Sequence, residues 1–162
     1  MADLNIVNNK VAFIDDAGNV IYNLPNSSGS SGQLLQIDGA GNSIFSSSEI
    51  ISTISGAGPG TVEHNLNNSS IFYHTSPANN FTANFTNMPT TNNRTTSVSL
   101  IISQGGAARM AVGVAVDGVS QQENWQNGII PTGTPNAIDV VSFTFIRVSD
   151  TWTVIGSATS YS

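Results

Sequence analysis

With 162 residues, a net charge of −6 and no cysteine, the chain is sized for one ordinary domain, or for a small domain behind an extended segment, and it excludes disulfides and thiolate metal sites. Charged residues make up only 9% while Asn, Ser and Thr together supply 56 of the 162, so neutral polar side chains must cover the surface; these compete with helical hydrogen bonds and suit β-rich proteins. Ten acids against Lys10, Arg94, Arg109 and Arg147 argue against a nucleic-acid groove and against anionic membrane surfaces.

The first residues, "MADLNIVNNKVAF", lack the basic start and apolar core of a signal peptide, and no apolar run is long enough to cross a bilayer. The expectation is a soluble chain made in the cytoplasm. "IDDAGNVIY" at 14–22 returns as "IDGAGNSIF" at 37–45, an internal repeat with a period of 23 residues. Each copy is predicted to be a β-hairpin, since a short β-compatible run leads into an Asp/Gly/Asn turn and a second run leads out. The first runs from Val11 to Ile14 and back through Val20 to Leu24; the second runs from Leu34 to Ile37 and back through Ser43 to Phe45. Gly18 and Gly41 suit the positive φ of such turns, and "PNSSGSSG" at 25–32 reads as a flexible connector.

Isolated hairpins are marginal in water, so residues 1–45 are predicted to be an arm that needs a partner. The candidate anchoring or oligomerisation residues are Val11, Phe13, Ile14, Val20, Tyr22, Leu34, Leu35, Ile37, Ile44 and Phe45. Residues 46–59 read as a linker, with a short capped helix suggested by the Ser46/Glu49 spacing before a Gly/Pro break.

From residue 60 to 162 period-2 alternation dominates. "TVEHNL" and "SIFYHT" precede "NFTANFTN", in which Phe81, Ala83 and Phe85 share a face. Val98, Leu100 and Ile102 follow, then Met110, Val112, Val114 and Val116 before an Asp-Gly turn. Val141, Phe143 and Phe145 alternate with polar neighbours, and Trp152 and Val154 are in phase at the end. The predicted fold is all-β, an antiparallel β-sandwich of jelly-roll type behind an extended arm with two hairpins.

Chemistry-bearing motifs are sparse. His64 and His74, with Glu63 or Asp117, could offer metal ligands, but the spacing matches no zinc motif; they read as strand histidines hydrogen-bonded at an interface, or as a ring around a three-fold axis. "GAGPGT" at 56–61 lacks the Lys of a phosphate loop. No G-x-S-x-G elbow occurs. Glu49, Glu63, Asp117, Glu123, Asp139 and Asp150 stand singly, where glycoside hydrolysis needs paired carboxylates. No catalytic residue, metal or cofactor is therefore expected. Phe72, Tyr73, Trp125, Trp152 and Tyr161 offer rings for sugar stacking; strand phase assigns most aromatics to the core, leaving Trp125, in "QQENWQNG", as the exposed partner contact.

"SGQLLQIDGAGN" at 31–42 resembles an S-G-Q-x-L-x-x-D-G-x-G-N segment of phage tail-fibre and other virion proteins. "GTVEHNL", "FYHTSPANNFTANFTNMPTTNNRTTSVSLIISQGG", "PTGTPNAIDVVSFTFIRV" and "WTVIGS" are similar to a β-module in structural proteins of phages that infect marine cyanobacteria. The resemblance implies a non-enzymatic virion protein, an outer capsid decoration or head fibre anchored by its arm. The alternative is a tail fibre or tail appendage whose sandwich binds host surface glycans. The expected partners are copies of itself, as a homotrimer, and other virion proteins of shell or tail, with neither nucleic acid nor membrane among them.

Overall fold

The computed structural model describes residues 3–7, 10–25, 34–37, 42–46 and 49–162, with backbone alone at 3–7, 10–14 and 21–23. The chain divides into two compact units, Met1–Glu49 and Ile50–Ser162.

The first unit holds two small sheets. Strands β1 (Asp3–Val7), β2 (Lys10–Ile14) and β3 (Val20–Asn23) form an antiparallel sheet in chain order, and β4 (Leu34–Ile37) pairs antiparallel with β5 (Ser43–Ser46). Both repeated hairpins are therefore present, with β1 an addition that the sequence reading lacked. The first turn is built by Asp15, whose carboxylate accepts from the backbone N–H of Ala17 at 2.9 Å and of Asn19 at 2.8 Å, while Gly18 takes φ +85°. These bonds, with the Asn19 side chain foremost, hold the Asp15 carboxyl below its ordinary value. Gly41 and the connector residues 26–32 lie outside the described residues.

The second unit is an all-β sandwich. Its strands are β6 (Ile51–Ser55), β7 (Gly60–Asn65), β8 (Ile71–Thr75), β9 (Phe81–Thr86), β10 (Arg94–Ser103), β11 (Ala111–Val116), β12 (Val119–Gln121), β13 (Glu123–Trp125), β14 (Ile138–Val148) and β15 (Thr151–Tyr161), with a 3-10 turn at Gln126–Gly128. One sheet has six strands in the order β13-β15-β14-β10-β8-β6, the other four in the order β12-β11-β9-β7. Successive strands from β6 to β11 alternate between the two, so β6/β7, β8/β9 and β10/β11 form rungs of a coil. Corresponding residues stack in register: Ile54, His74 and Ile102 in one sheet, Val62, Ala83 and Val114 in the other.

The winding corrects the antiparallel jelly-roll expectation. The pairs β6–β8, β8–β10, β7–β9, β9–β11 and β13–β15 are parallel, and within this unit antiparallel pairing is confined to β10–β14, β14–β15 and β11–β12. Alternation fixes which face of a strand is buried but not its direction. Connections such as 66–70 and 76–80 cross to the facing sheet instead of turning back within one, and strands that return after such a crossing run parallel.

The predicted linker is corrected as well. Residues 51–55 are strand β6, paired with β8, and the boundary between units falls at Glu49/Ile50. β-Branched Ile51, Thr53 and Ile54 favour strand over the helix that the capping-box spacing suggested. Ser69 secures this edge: its hydroxyl lies 2.6 Å from the Ile50 carbonyl and 2.7 Å from that of Ile71, and it accepts the Ile71 N–H at 2.8 Å.

The core lies between the sheets of this unit. Phe72, Phe81, Phe85, Leu100, Ile102, Phe143 and Phe145 are essentially inaccessible, and the rings of Phe85 and Phe143 meet edge to face at 5.6 Å. One predicted inward residue turns out. A bulge between Ala111 and Gly113 gives β11 an extra residue against β9, burying Ala111 and Val114 and exposing Val112.

Candidate functional site

The alternation of β7 and β8 sends His64 and His74 into the core from opposite sheets. Their Nε2 atoms lie 2.9 Å apart, so one imidazole donates and the other accepts. Phe72 meets His64 edge-on at 4.9 Å, and Phe81 stacks on His74 at 5.0 Å. Burial lowers the pKa of His64 to about 3, with the neighbouring His74 adding to the effect and the backbone at Val62 and Asn84 opposing it; burial alone lowers His74 to about 4. Both rings are neutral, and neither Nδ1 has a hydrogen-bond partner of normal geometry.

This placement overturns the interface and axial-ring readings, because both residues are fully enclosed in their own chain. The suggested carboxylates are elsewhere: Glu63 accepts from the Thr86 hydroxyl on the outer face of its sheet, and Asp117 accepts the Asn87 N–H. Among the described residues no three His, Asp or Glu side chains gather as metal ligands.

A second polar cluster was not anticipated. Asp139, inward-facing and 1% exposed, accepts through Oδ2 from Gln104 Nε2 at 2.7 Å and from Thr134 N at 3.1 Å, while Oδ1 accepts from the Ser160 hydroxyl. Gln104 also bonds both backbone groups of Arg109 at 2.9 Å. Segments 104–110 and 131–137 are thereby clamped to β14 and β15. Gly133 makes the approach possible: it takes φ +75°, and a Cβ there would lie 2.8 Å from Asp139 Oδ2 and 3.0 Å from Met110 Sδ. The signal was present in the sequence, since Asp139 is in phase with Val141 and Phe143 and an acid at such a position must be fully hydrogen-bonded.

Trp125 is a correction. Expected to be exposed, it is 9% exposed, edge-on to Phe143 at 5.5 Å, with its Cε3 and Cζ3 so close to Gly156 that a Cβ there would lie 2.7 Å away. Its ring still lines a cavity of about 110 Å³ whose polar groups come from Gln126, Asn127 and Ser157, and its Nε1 is buried without a partner. The other proposed sugar-stacking rings are dispersed: Phe72 is in the core, Tyr73 and Tyr161 are on the outer face of the six-stranded sheet, and Trp152 stacks under the Arg147 guanidinium at 4.9 Å.

The candidate anchoring residues fall on the first unit's strands. Backbone register pairs Phe13 with Tyr22, Ile14 with Val20, and Val11 with Ile6; the side chains of Val11, Phe13, Ile14 and Tyr22 lie outside those described. Val20 is exposed, as are Leu34, Leu35, Ile37 and Ile44, at 63%, 52%, 56% and 38% for the last four, and Phe45 is half-buried. Leu35 and Ile37 lie on one face of the β4–β5 ribbon and Leu34 and Ile44 on the other. The chain matches no family model, no curated protein and no solved structure.

Proposed function

We propose that the chain is a non-enzymatic structural protein of a phage virion, an outer capsid decoration or head-fibre protein held by its N-terminal unit. The resemblance of residues 31–42 and of the segments from Gly60 onward to virion proteins supplies the class. The observation that carries the anchoring role is the β4–β5 ribbon, two strands with large apolar side chains exposed on both faces. Such a ribbon is not stable alone in water, and strand addition to a neighbour is the simplest way to cover it. Copies of the chain, as a homotrimer, and the capsid shell are the proposed partners. Quantitative mass spectrometry of purified virions tests the location: hundreds of copies per particle support shell decoration, and a few to a few tens place the chain on a vertex or tail.

A second reading, a tail appendage that binds host surface glycan, is favoured by the cavity that Trp125 lines together with Gln126, Asn127 and Ser157. Asn127→Ala is the appropriate probe, since truncating the buried Trp125 would damage the core. Glycan-array binding by the purified chain that Asn127→Ala abolishes would favour this reading over decoration.

A further inference from the structure

The six-stranded sheet has an outward face built from alternate residues of β6, β8, β10, β14 and β15, with Asn124 of β13 beside them. Reading the outward positions gives Ile51, Thr53 and Ser55; Ile71, Tyr73 and Thr75; then alternate residues of β10 from Thr95 to Ser103, of β14 from Ile138 to Val148 and of β15 from Thr151 to Tyr161. None of these is charged. The opposite sheet differs, since Glu63 lies on its outer face. Register makes the apolar positions contiguous. Tyr73, Ile101 and Val140 are side by side on β8, β10 and β14, with Ile71 in the row on one side and the cross-strand pair Ile138 and Tyr161 on the other.

We infer that this face is where copies of the chain pack against one another. Two arguments select a second copy as the occupant. The chain carries a net charge of −6, so two copies repel on average, whereas this face meets its own image with no like charges opposed. The area also suffices: strands about 4.8 Å apart, three of them about 35 Å long, give roughly 700 Å² of sheet per copy and so about 1,400 Å² for a pair, within the range of specific interfaces. A face that meets its own image makes a two-fold pair in which the same patch serves both copies, so this contact is additional to any three-fold assembly of the chain. The residues of this interface all belong to the second unit.

The test is the mass of the full chain in solution, by sedimentation equilibrium or native mass spectrometry at micromolar concentration. The expected result is an oligomer that Ile101→Glu, at the centre of the face, dissociates with a rise in Kd of at least about 100-fold, while Thr82→Glu, outward on the four-stranded sheet, leaves it intact. If Ile101→Glu does not fold, Thr159→Glu, exposed in the same row, carries the charge instead. A monomeric wild-type chain, or an oligomer that survives both face variants, overturns the inference, the latter assigning self-association to residues 1–45. Because the measurement needs no virion, failure here leaves the virion role standing, and failure of that role leaves self-association untouched.

Discussion

Two imidazoles sealed in an aromatic pocket make stability depend on pH at the residue scale. His64 and His74 titrate in the folded chain at about 3 and about 4, against 6.5 for the free side chain. From pH 6.5 downward the unfolded chain therefore binds protons that the folded chain refuses. Their contribution is fully present above pH 6.5 and is lost as pH falls, levelling off only once the folded pKa values are passed, with a slope of at most about 1.4 kcal/mol per pH unit for each histidine. Urea unfolding between pH 8 and pH 4 should show this acid limb, and the double variant His64→Leu/His74→Leu should flatten it; an unchanged limb would mean that other groups set it. His74→Leu alone should cost about 1–3 kcal/mol, because it leaves a buried Nε2 unpaired. Gly156 is the other sensitive position: Gly156→Ala forces a methyl against the Trp125 ring and should lower stability by about 1–3 kcal/mol, read as a lower urea midpoint with an unchanged slope.

At the scale of elements, the coil leaves β6 and β7 as edge strands of the two sheets, and β6 depends on Ser69 for its attachment beyond the ladder to β8. Ser69→Ala should remove about 1 kcal/mol locally, so amides of 51–55 should exchange with solvent several-fold faster while those of β10 and β14 hold their rates. Uniform acceleration would show that this edge does not open separately. What was legible in the sequence follows the same division. Alternation identified β7 to β11, β14 and β15 together with their buried residues, because burying one face imposes a period of two. It misplaced Val112 because a bulge adds a residue without changing composition, and it missed β6 because a capping-box spacing and a strand edge share the same Ser, Glu and Ile residues. Strand direction was illegible, since parallel and antiparallel strands have similar half-buried patterns and only connection geometry separates them. The His64–His74 pair required that geometry too, for it joins opposite sheets; Trp125 was misread because its loop-like neighbours concealed the flat seat that Gly156 provides.

At the scale of the whole molecule, the buried apolar cluster among the described residues, from Ala57 to Val154, belongs to the second unit. The first unit contributes two small sheets, one of them the β4–β5 ribbon with exposed leucines and isoleucines. The two units should therefore be separable in stability and in task. A chain of residues 50–162 keeps both sheets of the sandwich and its buried apolar cluster, so it should unfold cooperatively with a melting temperature within a few degrees of the full chain, as followed by circular dichroism. Its attachment should be lost: mixed with particles lacking the protein, the truncated chain should fail to co-sediment where the full chain does. Equal co-sedimentation would remove the anchoring role from residues 1–45, and a truncated chain that does not fold would show that the sandwich needs its N-terminal unit. If, as expected, it folds and fails to attach while keeping its self-association, the molecule divides its work, with the ribbon meeting other proteins and the uncharged sheet face meeting its own kind.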